Sequence, residues 1–405
     1  MKEALPNGRL ANIDGLRALA VLLVLMTHTW VSFGAPALSL SIAGHSFVLA
    51  SIPAIGHVGV NLFLVISGFS LAWPFMNGSS ARARYSLAGF FQRRVQRIVP
   101  PYYASIVLIY LLALGFDFLL RSNFAAQVAQ HPPAFAPLED APRLWPHLLL
   151  IHNLWAEHVS TINGSYWSLA LEFQLYLLFP LLIEAMRRWG VWRVAGGVLA
   201  LQLAYRWSLE IALPVQVLVQ DEFILPAALP GRMFEFAAGM ATAAAVAQPA
   251  NPFHRFVQEQ RGAVLAVLGW LAAAFFATSS QRLSTSVTDV LWALGFVALI
   301  ALTSVRASWL SRWLSWRPVA ALGFASYSVY LLHQPLIERL GYLTLLRFRP
   351  GTAFFIGLAL LPVVVAICLL LFVAVEKPSL RWIRRQPRRA TAPPAPPEIL
   401  KPVIA

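Results

Sequence analysis

Ile13-Asp-Gly-Leu-Arg17-Ala-Leu-Ala-Val-Leu-Leu-Val-Leu-Met-Thr-His28-Thr-Trp30 is apolar enough to enter a bilayer, yet it carries a guanidinium and an imidazole. A membrane helix needs about 20 predominantly apolar residues, and a mid-bilayer Arg costs roughly 2.5–3.5 kcal/mol even on the lenient scales. An ionisable side chain retained inside such a span is therefore a functional candidate by default. Spacing adds to this. Eleven residues at about 100° each make three turns plus roughly 20°, so Arg17 and His28 share one face, about 16 Å apart along the axis. A cation near one surface and an imidazole well towards the other suit chemistry conducted across the membrane.

The rest of the chain matches that reading. Of 405 residues, 59% are hydrophobic and only 12% charged, a balance unlike that of a soluble domain. Apolar segments recur at about 13–32, 57–75, 98–119, 166–186, 191–209, 229–247, 263–279, 289–305, 319–338 and 352–375. The expected fold class is an all-α integral membrane protein with about ten transmembrane helices. The net charge of +14 does not call for nucleic acid, because Lys and Arg segregate between alternate loops. One side collects 22 of them, from Lys2 and Arg9 through Arg82, Arg84, Arg255 and Arg261 to Arg388, Arg389 and Lys401, and the other side seven. By the positive-inside rule both termini are cytoplasmic. The first segment carries Asp14 and Arg17 early and no small-residue cleavage pattern, so it is not expected to be a signal peptide. The single cysteine, Cys368, excludes a disulfide framework and a thiolate metal site.

Two regions differ from ordinary spans. Segment 120–165 includes the Pro-rich stretch His131–Pro146 and then an apolar piece, His147–Trp155, too short to cross. An interfacial or re-entrant element on the outer side is expected there. Residues 1–385 make one membrane domain, and the tail from Gln386, rich in Ala and Pro, is expected to be disordered and cytoplasmic.

Several polar groups fall inside or at the mouths of these spans. Arg93, Arg94 and Arg97, just before Pro100, serve topology on the plain reading and form an anion cradle of planar forks on the functional one. Glu172 lies about two turns into a span that begins Tyr166-Trp167-Ser168, as a structural partner for a cation or as part of a site. His333, in Ser326-Tyr-Ser-Val-Tyr330-Leu-Leu-His333-Gln-Pro335, is a second catalytic imidazole, a substrate ligand or a packing hydrogen bond. Arg232 and Glu235 stand at i, i+3 and are expected to pair structurally. His147, His152 and His158 are spaced by five and six, which lacks the i, i+4 step of a helical zinc site, so no metal is expected.

Together these segments resemble acyltransferase family 3, the bacterial multi-span acyltransferases of cell-surface glycans and small molecules. The Arg17–His28 pair fits that family's first-span hallmark. Gly56-His-Val-Gly-Val-Asn61-Leu-Phe-Leu-Val-Ile-Ser67-Gly68-Phe69 resembles its second-span motif, and Arg93–Tyr103 its basic approach to the third span. Trp167-Ser-Leu-Ala-Leu-Glu172, Leu322–His333 and Val375-Glu376-Lys377-Pro378 resemble its remaining motifs, in order over residues 10–380. Asn61 stands where many members have an acid, so no proton-transfer role is assigned to it.

The resemblance implies an enzyme of the bacterial cytoplasmic (inner) membrane. Its donor would be acyl-CoA, usually acetyl-CoA, with no metal, and its acceptor a saccharide or glycoconjugate hydroxyl. Cofactor binding would fall to Arg93, Arg94, Arg97 and Arg17. Catalysis would fall to His28, as general base or transient acyl carrier, with Arg17 and with Glu172 orienting His28 or binding the acceptor. Trp167, Ser168, Tyr330 and His333 would bind substrate or support the site. The acids Glu139, Asp140, Glu157, Asp221 and Glu222 would face the acceptor. The rival class is a transporter, since intramembrane His, Glu and Arg also build proton relays, but no inverted repeat or paired interrupted helices are visible. A small-molecule acceptor is the other alternative.

Overall fold

The computed structural model describes residues 10–42, 45–77, 86–123, 141–212, 228–248, 250–259 and 262–385. Lys2, Arg9, Arg82, Arg84, Arg261, the acids Glu139, Asp140, Asp221 and Glu222, most of the Pro-rich stretch and the tail from Gln386 lie outside them.

The chain folds into a helical bundle. Its elements are α1 (Ala11–Ser32), α2 (Ser51–Met76), α3 (Leu87–Asn123), α4 (Tyr166–Trp189), α5 (Val191–Ala212), α6 (Met233–Ala247) and α7 (Pro252–Glu259). Then come α8 (Ala263–Ser279), α9 (Thr285–Val305), α10 (Trp309–Leu314), α11 (Arg317–Phe324), α12 (Ser326–Leu345) and α13 (Pro350–Leu371). A π-turn over Phe372–Glu376 carries α13 into a terminal helix, Lys377–Arg385. Helix is what such sequences must form in lipid, where every backbone N–H and C=O needs an internal partner.

Among the described residues six helices are long and apolar enough to cross a membrane: α1, α2, α3, α4, α9 and α13 with its extension. The pair α7–α8, bent by 104°, makes a seventh if counted as one span. All ten expected segments are helical, but the other four differ from simple spans. Helix α5 brings Arg193, Arg206 and Glu210 with it, and α6 is only 15 residues long. Helix α8 has 17 residues, and segment 319–338 is two helices broken at Ala325.

The fold is not purely helical. Ser39–Ile42 pairs antiparallel with His45–Val48, Ser39 opposite Val48 and Ile42 opposite His45. This hairpin joins α1 to α2 in a loop where no 3.6-residue apolar period reaches, so helix reasoning gave no sign of it. The piece His147–Trp155 does not cross. A short helix, Leu144–Leu148, is followed by a 3₁₀ turn, His152–Leu154, with Trp145, Leu149 and Leu154 exposed and His147 and His152 buried.

Helices α2 and α6 cross in close backbone approach. A Cβ at Gly68 would collide with the carbonyl oxygen of Phe236, and one at Gly239 with that of Val65. Small residues let the two backbones touch, which replaces the hydrophobic driving force that lipid does not supply. Helix α1 is central. It packs on α2, α11, α12 and α13, so the polar face bearing Arg17 and His28 looks into the protein rather than into lipid.

Candidate active site

Arg17 and His28 of α1 reach two different polar clusters, one at each end of the bundle. At the His28 end, α4 begins with Ser165 as its N-cap residue, and the Ser165 Oγ lies 3.4 Å from His28 Nε2. The same Oγ lies 3.4 Å from His333 Nε2. The rings of His28 and His333 meet edge-on with centroids 5.0 Å apart.

The tautomer of His333 follows from its other nitrogen. Nδ1 faces the carbonyl oxygens of Tyr330 at 2.8 Å and Val329 at 3.2 Å, and a carbonyl only accepts, so Nδ1 carries the hydrogen. In the neutral ring Nε2 is then a bare acceptor facing Ser165. The Ser165 hydroxyl donates to Gln334 Oε1 at 2.5 Å, and Gln334 Nε2 donates to Glu338 Oε1 at 2.7 Å, which fixes which way the amide points. Gly164 makes room for this amide, since a Cβ there would stand 2.5 Å from Gln334 Nε2.

Asn163 secures the turn before α4. Its Oδ1 accepts from the Ser165 N–H at 3.0 Å, and its Nδ2 donates to Leu331 O at 3.0 Å. Ser168 and Tyr330 share a 2.5 Å hydrogen bond, and Tyr330 donates to Ser165 O at 3.1 Å. Helices α4 and α12 are thus laced together around the two imidazoles. Trp167 of α4 is buried without a hydrogen bond among the described residues.

Glu172 does not join this cluster. It sits seven residues below Ser165 on α4, about 10 Å along the axis at 1.5 Å per residue. Its carboxylate accepts from Ser67 Oγ at 2.9 Å and from the Tyr176 hydroxyl. The expected orientation of His28 by Glu172 is therefore not made in this geometry, and His333 with Ser165 occupies that place.

At the other end, Arg17 pairs with Asp14 at 2.7 Å and donates to Ser70 Oγ at 2.9 Å. The basic approach of α3 divides in two. Arg93 is exposed, whereas the Arg94 guanidinium lies 5.6 Å from the ring centres of both Phe90 and Tyr176. Arg17, Arg94 and Arg97 fall in one electrostatic neighbourhood with Asp14, Glu172, Tyr176 and Glu376. Glu376 accepts from Ser328 through its N–H at 3.2 Å and its hydroxyl at 2.5 Å, tying the π-turn to the start of α12. The Arg17 cluster is cationic with a carboxylate floor, and the His28 cluster is imidazole-centred.

Sequence reading missed part of this. Arg232 and Glu235 do pair, at 3.1 Å, but Arg232 also contacts Asp289 at 3.0 Å, and Asp289 holds Arg206 at 2.7 Å. Asn61 donates to Asp289 at 2.9 Å and accepts from Arg232 at 3.1 Å, so it is a neutral link in a buried ion network. Asp289 opened a predicted span and drew no notice. Ser165, Gln334 and Glu338 were also missed. A serine just before a helical run is an N-cap signal, but its approach to His28 and His333 is tertiary.

His147 and His152 stack at 4.0 Å outside the spans. Burial and the neighbouring His152 push the His147 imidazole down to about 2, and burial pushes His152 down to about 4. Among the described residues no group of three or more His, Cys, Asp or Glu is placed to hold a metal ion.

A family profile described as an acyltransferase domain, that of acyltransferase family 3, matches residues 10–373. The peptidoglycan O-acetyltransferase OatA of Listeria monocytogenes is 26% identical over 344 residues, covering 80% of this chain and 49% of OatA. Acyltransferase MdmB of Streptomyces mycarofaciens is 27% identical over 415 residues, covering 95% of each chain. The O-acetyltransferase OatA of Staphylococcus aureus is 22% identical over 348 residues, 81% of this chain and 50% of that protein. The chain thus spans about half the length of the OatA proteins and nearly the whole of MdmB. No solved structure matches it. With nearly every described helix inside the matched range, and the paired Arg17 and His28 clusters among them, the chain belongs to acyltransferase family 3.

Proposed function

We propose that the protein is an O-acyltransferase of the bacterial cytoplasmic membrane. It takes an acyl group, acetyl above all, from cytoplasmic acyl-CoA and delivers it to a hydroxyl of a saccharide or glycoconjugate at or beyond the membrane. The observation that carries this reading is the pairing on α1 of a cationic cluster at Arg17 with an imidazole cluster at His28, both facing the bundle interior. The excess of Lys and Arg on the Arg17 side supports cytoplasmic termini, and the peptidoglycan O-acetyltransferase name of the Listeria relative supports a glycan acceptor.

In this reading the CoA phosphates rest on the guanidinium groups of Arg93, Arg94 and Arg97, with Arg17 behind them, because planar forks bind phosphate oxygens in pairs. The pantetheine arm follows the Arg17–His28 face outward. His28 takes the acceptor proton as general base, or holds the acyl group briefly as an acyl-imidazole. His333 stands where a second proton acceptor is needed, held in one tautomer by the Tyr330 carbonyl. Ser168 and Tyr330 hold that wall, and Glu172 is the mid-depth carboxylate below it.

The test is transfer of label from acetyl-CoA, enclosed in liposomes containing the purified protein, to a panel of peptidoglycan and polysaccharide fragments outside. Acylated product outside with free CoA inside is the expected result. Solute movement without CoA release would favour a transporter and overturn the proposal.

A further inference from the structure

We propose that Ser165 is the nucleophile that carries the acyl group between donor and acceptor, so that transfer proceeds through an acyl-serine on this chain. The inference rests on the acyltransferase reading and deepens it.

Geometry singles out this hydroxyl. Nucleophilic serines are recognised by a base within reach and a third group that orients the base. Ser165 Oγ has two imidazole nitrogens at 3.4 Å, and His333 is oriented by the carbonyl oxygens of Tyr330 and Val329 so that a lone pair faces Oγ. Resting hydrogen bonds at active sites are often longer than working ones.

Ser165 also declines the role its position offers. It is the N-cap residue of a 24-residue helix, yet its side chain makes no capping bond and is held instead by Gln334. Ser165 heads α4, and a helix N-terminus favours the negative charge of a tetrahedral intermediate. Only 2% of Ser165 is exposed, so an ester formed there is shielded from water.

The chemistry balances in two steps. In the first, Oγ bonds to the thioester carbonyl carbon and the carbon–sulfur bond breaks. The serine O–H turns from Gln334 Oε1 towards His333 Nε2, and its proton passes to that nitrogen and then to the departing CoA sulfur. In the second, the acceptor oxygen bonds to the same carbon and the Oγ–carbon bond breaks. The acceptor proton passes to His28 Nε2 and is returned to Oγ. No oxidant or further reactant is needed.

The experiment incubates the full-length protein in nanodiscs with acetyl-CoA and no acceptor, following CoA release and the mass of intact and digested protein. One acyl group on the peptide containing Ser165, matched by one equivalent of CoA, is expected. Ser165→Ala should lose the adduct and at least a hundredfold in turnover, while Ser165→Cys should retain a hydroxylamine-labile adduct even if the alanine variant folds poorly. His28→Ala should accumulate the acyl-serine when acceptor is present. An adduct on His28, or turnover by folded Ser165→Ala within about threefold of wild type, would overturn the proposal and leave the acyltransferase standing. Failure of the wild type to release CoA with acceptor and donor both present would remove the reading on which the proposal rests.

Discussion

Arg94 and Arg97 face inward near Glu172 and Tyr176, whereas Arg93 is exposed at the helix start. Two of the three forks are therefore preorganised, and Arg94→Ala should raise the KM for acyl-CoA by roughly tenfold, about 1.4 kcal/mol, with a smaller change in kcat. Steady-state kinetics over a range of acetyl-CoA concentrations checks this, and an unchanged KM would take Arg94 out of donor binding. His147 and His152 make a second prediction. In the folded state they stay neutral to about 2 and about 4, while in the unfolded chain each titrates near 6.5. The unfolded state then binds more protons, so their contribution is fully present above pH 6.5 and is lost as pH falls from there, to about 4 for His152 and to about 2 for His147. The melting temperature should drop across that window, and His152→Asn should flatten the drop; an equal slope in the variant would refute the assignment. At this scale the sequence showed Arg17 and His28 well, because their shared face needs only helical geometry. It could not show Ser165, whose significance comes from α1 and α12 closing on it.

The helices were legible in position, since a bilayer imposes length and apolarity on each one. What the pattern could not give was their partners. Arg232 was paired with Glu235 because i, i+3 neighbours can be read along one helix, but Asp289 and Arg206 enter from α9 and α5. The break at Ala325 was likewise invisible, because Leu322-Gly-Phe-Ala-Ser-Tyr-Ser has no proline or charge to mark it. The network joining α2, α5, α6 and α9 is nearly dry, with Glu235 0% and Arg206 2% exposed. Removing one partner of a buried pair leaves an uncompensated charge, typically 3–5 kcal/mol. Asp289→Ala should therefore destabilise the protein by about that amount in thermal unfolding. It should do so without selectively changing the KM for donor, because none of its partners lies in the Arg17 or His28 cluster; a pure KM effect at native stability would contradict this.

Across the whole molecule the fold places the cationic Arg17 cluster and the imidazole His28 cluster on opposite halves of one bundle, joined by α1. In the proposed function the two ends face different compartments. Cys368 is buried, so it gives little background for thiol labelling. In whole cells, a cysteine at Arg188→Cys should react only after permeabilisation, and one at Ala156→Cys should react with an impermeant maleimide from outside. The reverse pattern would invert the topology and the direction of transfer with it. Legibility at this scale was mixed: the charge asymmetry of the loops gives only an expected orientation, while the hairpin at Ser39–Val48 and the bent α7–α8 pair have no counterpart in it.

The measurement that tests the central claim most directly is CoA release from acetyl-CoA by purified protein in liposomes, wild type beside His28→Ala, with melting curves recorded for both. The account predicts acceptor-dependent release by wild type and a loss of at least about a hundredfold in the variant at unchanged melting temperature, as expected for a general base or covalent carrier. Equal release by the two proteins would mean that His28 is structural, and would contradict the account.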